Sequence, residues 1–296
     1  MRLLLSISIY IFSGCLFGQS VLLDEFQQDS GRFVGDRVTQ AERLLKRVAP
    51  MGEVEEWAEA DSLSEDRLGY LAELLMDSVA LPPLGNVQAY LLDQSLTDSM
   101  VGGSLTEAIS ANSEGIPAGY LVIHDVSTPN YLLDSFPDNI NEDSWRYNDV
   151  ETVWNVQRAH VFIGRTGRSW SPVDLGTPWR ATKFELREVE AEISRGLFLH
   201  AELVQPRRSD PDRKKGNDIL APDPGFTCAQ YDRLSLIYLC ASIRAGEWLV
   251  PGFHAVLDEG IAGAHDDPQN FELELFGEAL EALLWEIGQF SEDLLD

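Results

Sequence analysis

Tyr120-Leu121-Val122-Ile123-His124-Asp125 is the stretch on which the fold turns. Its consecutive apolar residues show no alternation between a wet and a dry face, the pattern of a central strand covered on both sides. The strand ends on a histidine and an aspartate. The ring of His124 then emerges at its mouth, where ligand sites of α/β proteins collect.

Downstream, Ala159 to Ile163 and Arg168 to Val173 flank Arg165-Thr166-Gly167, a loop of hairpin length containing glycine. Leu197 to Val204 reads as a further strand in which His200 and Glu202 alternate with Leu199, Ala201 and Leu203. A period of two puts that histidine and that glutamate on one face. Thr227, with Gln230 three residues later, forms a capping box ahead of Leu234 to Ile243, a run apolar almost all round, as in a buried helix. Phe271 to Ile287 reads as a last amphipathic helix. Strands interleaved with helices predict an α/β domain, a mixed central sheet flanked by helices.

Upstream the pattern is helical and acidic. Ala41, Leu44, Leu45 and Val48 recur at helical spacing, and so do Leu68, Leu71, Leu74 and Leu75. Pro82, Pro83 and Gly85 break the pattern, then Gly102, Gly103 and the stretch from Asn112 to Gly115. A boundary near residue 112 is expected, with a mainly helical accessory region at 21–112 and the α/β domain at 113–296. The 296 residues, 44 % hydrophobic, suffice for two cores, since domains usually run to about 100–200 residues.

The first twenty residues read as a targeting segment: Arg2, an apolar stretch from Leu3 to Phe12, then small residues. An exported protein is expected, periplasmic or anchored as a lipoprotein. Phe12-Ser13-Gly14-Cys15 offers a lipobox that would lipidate Cys15, and Gly18-Gln19-Ser20 offers ordinary signal cleavage. Ten apolar residues cannot span a bilayer. Cys228 and Cys240 fall on one predicted helix about 18 Å apart along its axis, beyond disulfide reach.

Acidic residues number 49 against 22 basic, a net charge of −27 that repels polyphosphate and argues against nucleic acid as a partner. Basic residues nonetheless gather at Arg207, Arg208, Arg213, Lys214 and Lys215. Such a run is either a solvated loop or a rim for ligand carboxylates.

All five histidines, 124, 160, 200, 254 and 265, lie in the carboxy-terminal part. His254 sits in Gly252-Phe253-His254 after the capped helix, and Asp266-Asp267-Pro268 follows shortly. Two imidazoles and one carboxylate from separate loops would bind zinc tetrahedrally and leave one position for water, as catalytic sites do. Taken singly, each histidine is more often a packed or surface residue, and no short-spaced ligand motif occurs.

Gly119 to Asn130 resembles the first zinc-ligand strand of the zinc-dependent N-acetylmuramoyl-L-alanine amidases, the type 2 amidases, which share a fold with the peptidoglycan recognition proteins. Ala159 to Arg168 resembles that family's next strand and hairpin, Leu199 to Val204 its segment with the catalytic glutamate, and Phe226 to Tyr231 the start of its long helix. His254 and Asp267 then fall on the remaining ligand positions, so that five segments from about residue 117 to residue 286 stand in the family's order. The resemblance implies zinc held by His124, His254 and Asp267, with Glu202 as acid-base residue. It also implies hydrolysis of the amide between N-acetylmuramic acid and L-alanine, in peptidoglycan or muropeptides. His265 stands where relatives often carry a lysine beside the developing oxyanion, and an exposed loop histidine is its plain alternative. His160 is expected to be a packing or supporting residue and His200 a support for Glu202. Glu202 itself is read as catalytic, the alternative being a carboxylate paired with a nearby arginine.

Two departures stand out. Many relatives carry a tryptophan-histidine element where this chain has Pro178-Trp179-Arg180, which leaves Arg180, with Arg207 and Arg208, as the expected contacts to a stem peptide. The stretch between His254 and Asp267 is long, which keeps Asp266 and His265 open as third ligand.

His200-Ala201-Glu202 also fits the H-x-E element of zinc deaminases, but the Pro-Cys-x-x-Cys they require is absent. H-E-x-x-H, nucleotide-binding glycine loops and G-x-S-x-G are absent too. The rival that remains is a muropeptide-binding module of the same fold without catalysis. Loss of a ligand would mark it, and all three ligand positions are filled.

Overall fold

A computed structural model of the chain describes residues 20–48, 54–55, 67–209 and 219–290. The targeting segment with Cys15, and the basic residues Arg213, Lys214 and Lys215, lie outside the described residues. The chain opens with a hairpin, β1 (Phe26–Gln27) and β2 (Arg32–Phe33), then α1 (Arg37–Leu44) and a second pair, β3 (Arg47–Val48) with β4 (Val54–Glu55). Helices α2 (Tyr70–Leu75) and α3 (Leu84–Asp93) follow. Next come β5 (Tyr120–Asp125), α4 (Val150–Val153), β6 (Val161–Ile163), β7 (Ser169–Trp170), α5 (Ala191–Ser194) and β8 (Phe198–Leu203). The chain continues through β9 (Arg208–Ser209), β10 (Ile219–Leu220), α6 (Cys228–Ala245), β11 (Val250–Phe253), α7 (His254–Leu257) and α8 (Leu273–Ile287).

The central sheet has five strands in the order β11, β5, β8, β6, β7. The first four are parallel and β7 returns antiparallel to β6. The chain is thus mixed α/β, with a mostly parallel sheet flanked by helices. The apolar run at 120 demands this arrangement, since every residue of β5 is buried.

Local signals foretell β5, β8, the β6–β7 hairpin and α6, but not β11. Val250-Pro251-Gly252-Phe253 carries the two residues that weaken strands most, tolerated here because β11 is an edge of the sheet. Pro83 likewise marks a start and not a stop. It caps α3, where a missing N–H costs nothing.

Alternation sends Val122, His124, His200 and Glu202 to one face of the sheet, with His124 beside Glu202 and Val122 beside His200. The lower half of that face is covered by the amino-terminal segment. Phe26 and Phe33 join Tyr120, Phe184 and Phe198 in a cluster of rings 5.0–6.4 Å apart. The Tyr120 hydroxyl donates to Gln40 Oε1 at 2.7 Å and accepts from the Phe33 N–H at 2.8 Å. Leu44 presses on Gly252 so closely that a Cβ there would sit 3.0 Å from the Leu44 Cβ. Side chains from both sides of residue 112 consequently share one continuous core, with Leu44, Leu71 and Val87 in the same cluster as Leu121, Leu239 and Leu280.

Helix α6 packs between the sheet and α8. Its capping box is formed: Thr227 Oγ1 accepts from the Gln230 N–H and Gln230 Oε1 from the Thr227 N–H, both at 3.2 Å. Thr227→Ala is expected to lower stability by about 1 kcal/mol, read as a shift of the urea midpoint. Cys228, exposed, and Cys240, buried, are both free thiols on this helix. No helix among the described residues is long and apolar enough to cross a membrane.

Candidate metal centre

His124 ends β5 inside a fully buried strand, and His254 opens α7 directly after β11, the strand paired with β5. Adjacent parallel strands therefore deliver both rings to the carboxy-terminal end of the sheet. Asp267 arrives on the loop after α7, held by the Asp125 N–H, which donates to its Oδ2 at 3.2 Å, and by its own carbonyl, which accepts from Ala255 N–H at 2.8 Å. The Nδ1 atoms of His124 and His254 are 2.8 Å apart. Asp267 Oδ2 lies 3.2 Å from His254 Nδ1 and 3.6 Å from His124 Nδ1. The three side chains are buried and could together hold a metal ion. Donors bound tetrahedrally at about 2.0–2.2 Å stand about 3.3–3.6 Å from one another, and this triangle needs to open only slightly to match.

The electrostatics point the same way. His254 Nε2 donates to Asp258 Oδ2 at 3.0 Å, so its Nδ1 turns toward the centre. Asp258 is held in turn by the Phe184 N–H at 2.9 Å and Lys183 Nζ at 3.7 Å. Burial disfavours charge on His254, but Asp267 and Asp258 outweigh it and push its pKa up to about 10. His124 is driven well below its ordinary value by burial and by the neighbouring His254. Asp267, despite burial, is held well below the carboxylate range by His254. The cluster calls for one positive charge at its middle, and a metal cation meets that demand in place of the proton it displaces.

Glu202 stands beside His124 across β5 and β8, and its Oε2 is buried without a hydrogen bond. Burial, then the charge of Asp267, raises its pKa to about 8. Among the described residues no arginine forms an ion pair with it. His265 is exposed, stacks on His254 with centroids 4.4 Å apart, and places Nδ1 3.4 Å from Asp267 Oδ1. Of the three acidic or imidazole groups open as third ligand, Asp267 alone joins both histidines. Asp266 accepts instead from Gln269 Nε2 at 2.9 Å.

Behind the centre, His200 Nδ1 lies 3.0 Å from His124 Nε2, and His160 stacks on His200 with centroids 5.6 Å apart. Burial holds His160 neutral, lowering its pKa to about 3. His200 thus stands against the candidate ligand His124, where the sequence suggested a support for Glu202.

The arginines depart from expectation. Arg207, read as part of a solvated loop or rim, is fully buried. Its guanidinium pairs with Asp125 and Gln205, because β8 runs on past the sheet and carries the side chain inward under the site. It is not a rim contact. Burial pushes the Asp125 carboxyl up while Arg207 pulls it back, and its Oδ2 also accepts from the Gln269 N–H at 3.2 Å. Arg207→Met is expected to cost about 3–5 kcal/mol by stranding a buried carboxylate, and Asp125→Asn added to it should recover part of the loss in urea titrations. Arg180 is half-buried, its Nη1 donating to the Glu185 carbonyl at 3.1 Å. Arg208 is half-buried in β9, its Nε buried with no hydrogen bond among the described residues.

Sequence reasoning missed Asp258, Glu185 and Asp125 as supports. Asp258 was within reach, since it follows His254 by four residues, the spacing of neighbours on one helical face. Glu185 and Asp125 touch the site only through tertiary contacts.

No family model, no curated protein and no solved structure matches the chain, so the reading of the site rests on its geometry.

Proposed function

We propose that this chain is a zinc-dependent N-acetylmuramoyl-L-alanine amidase, acting on peptidoglycan or muropeptides in the fold of the type 2 amidases and peptidoglycan recognition proteins. The observation that carries the reading is the convergence of His124, His254 and Asp267 beside the Glu202 carboxylate, whose buried Oε2 makes no hydrogen bond among the described residues. Two nitrogens and one oxygen are a donor set that suits zinc, and three protein ligands are the number found at catalytic sites.

Zinc, when bound, supplies Lewis-acid polarisation of the amide carbonyl and a nucleophile usable at neutral pH. Glu202 takes a proton from the attacking water and returns it to the departing alanine nitrogen. His265, exposed beside His254, donates toward the oxygen on which negative charge develops. Arg208 faces the carboxylates of the stem peptide. The targeting segment carries the protein to the wall side of the membrane, and lipidation of Cys15 would keep it there.

The test is a zinc assay on purified protein followed by incubation with muropeptide and mass spectrometry for free stem peptide. One zinc per chain with released peptide is the expected result. One zinc with no release would identify a muropeptide-binding module, and no zinc would overturn the proposal.

A further inference from the structure

We infer that Glu185 and His200 are positioning residues that fix the tautomer of His124, so that a lone pair on its Nδ1 faces the metal centre. The inference rests on the reading of His124, His254 and Asp267 as metal ligands.

The groups touch in succession and are buried. Glu185 Oε2 is 3.3 Å from His200 Nε2, and His200 Nδ1 is 3.0 Å from His124 Nε2. His200 Nε2 makes no well-aligned hydrogen bond, and the carboxylate oxygen is the polar atom it faces. A lone pair there would meet the carboxylate oxygen, so the proton sits on Nε2. With that one ring proton on Nε2, His200 Nδ1 offers a lone pair and serves as the acceptor. His124 Nε2–H donates to it. His124 Nδ1 is left with its lone pair directed at His254 and Asp267.

Each component is held from the side. Glu185 lies in a π-helical turn, Phe184–Glu188, a local geometry that recurs at functional sites. Its Oε2 accepts from Thr182 Oγ1 at 2.9 Å, Thr182 N–H at 3.0 Å and Ala181 N–H at 3.1 Å. The His200 N–H donates to His160 Nδ1 at 3.0 Å, and His160 Nε2–H donates to the Thr177 carbonyl at 3.1 Å. His160 is thereby locked in one tautomer with its ring against that of His200.

A buried glutamate and histidine are a costly way to fill space, and apolar residues of similar volume would pack as well. Their placement is explained by what they do to His124. The two ligand histidines are thus treated alike: Asp258 stands directly behind His254, and Glu185 stands behind His124 with one imidazole between.

The test compares wild type, His200→Gln and His200→Leu by zinc-competition titration, with long-range 1H–15N spectra of the metal-free wild type. In the spectra, His124 and His200 should each carry their proton on Nε2. His200→Leu is expected to weaken zinc binding by about 10–100-fold. His200→Gln should restore most of it, because its amide oxygen accepts from His124 and its NH2 donates toward Glu185. A packing role alone would be served as well by leucine as by glutamine and would appear in the melting temperature, not in the zinc affinity. Equal affinity in wild type and His200→Leu, or a proton on Nδ1 of His124, overturns the inference. The spectra decide it even where the leucine variant does not fold. A wild type that binds no zinc removes the metal reading itself, and this inference with it, a result distinct from any difference among the variants.

Discussion

Glu202→Gln should retain one zinc per chain and lose about 10²–10⁴-fold in turnover, the range that a positioned acid-base group contributes. The amide keeps the shape of the carboxylate, so the neighbouring candidate ligand His124, in register with it across the strands, is undisturbed. What disappears is a carboxylate beside the cluster that can take a proton and give it back. Paired measurements on one sample, zinc content and release of stem peptide, separate the two effects. Activity within a few-fold of wild type would remove Glu202 from the chemistry. The same variant carries a stability signature in the metal-free protein. Burial places the folded pKa near 8, above the ordinary carboxylate value. Between those two values the unfolded chain gives up a proton that the folded chain keeps, so the wild type loses stability as pH rises from about 5 to 8. The glutamine variant lacks that loss. Its melting temperature should gain on the wild type across this window, and parallel pH profiles would contradict the burial of the carboxylate.

His254→Ala should abolish zinc binding. The substitution removes one of three donors and strips Asp258 and Asp267 of their shared cationic partner. Wild-type protein should melt higher as zinc is added, by the equivalent of about 4 kcal/mol at a thousandfold excess over the dissociation constant, and a chelator should reverse the gain. The variant should show no response to either. Its metal-free form should also be weaker than the wild type by about 3–5 kcal/mol, the cost of breaking a buried ion pair. An unchanged zinc stoichiometry would show that the ligands lie elsewhere.

The sequence made legible whatever is written in consecutive residues. The apolar run at 120, the alternation around His200 and the capping box at Thr227 each encode an element locally, and each appears where expected. The candidate ligand His124 was readable because it closes such an apolar run, whereas His254 and Asp267 were picked out only by their place after the capped helix and by the family resemblance. Strand β11 was not, since Pro251 and Gly252 erase its signal and only pairing with β5 makes it a strand. Arg207 misled for a related reason: a run of basic residues does not show which member turns inward, and its partner Asp125 is 82 residues away. The change of style near residue 112 is real in composition. Contacts such as Leu44 on Gly252, which join the two sides into one core, leave no local trace.

Phe26, Phe33 and Gln40 carry no chemistry, yet they roof the sheet beneath the imidazoles. A shortened gene beginning at residue 113 would therefore yield a product with an oily strip of bare rings where Tyr120 and Phe198 lie. Such a fragment would clump, and any shortened version of this chain must keep the front end.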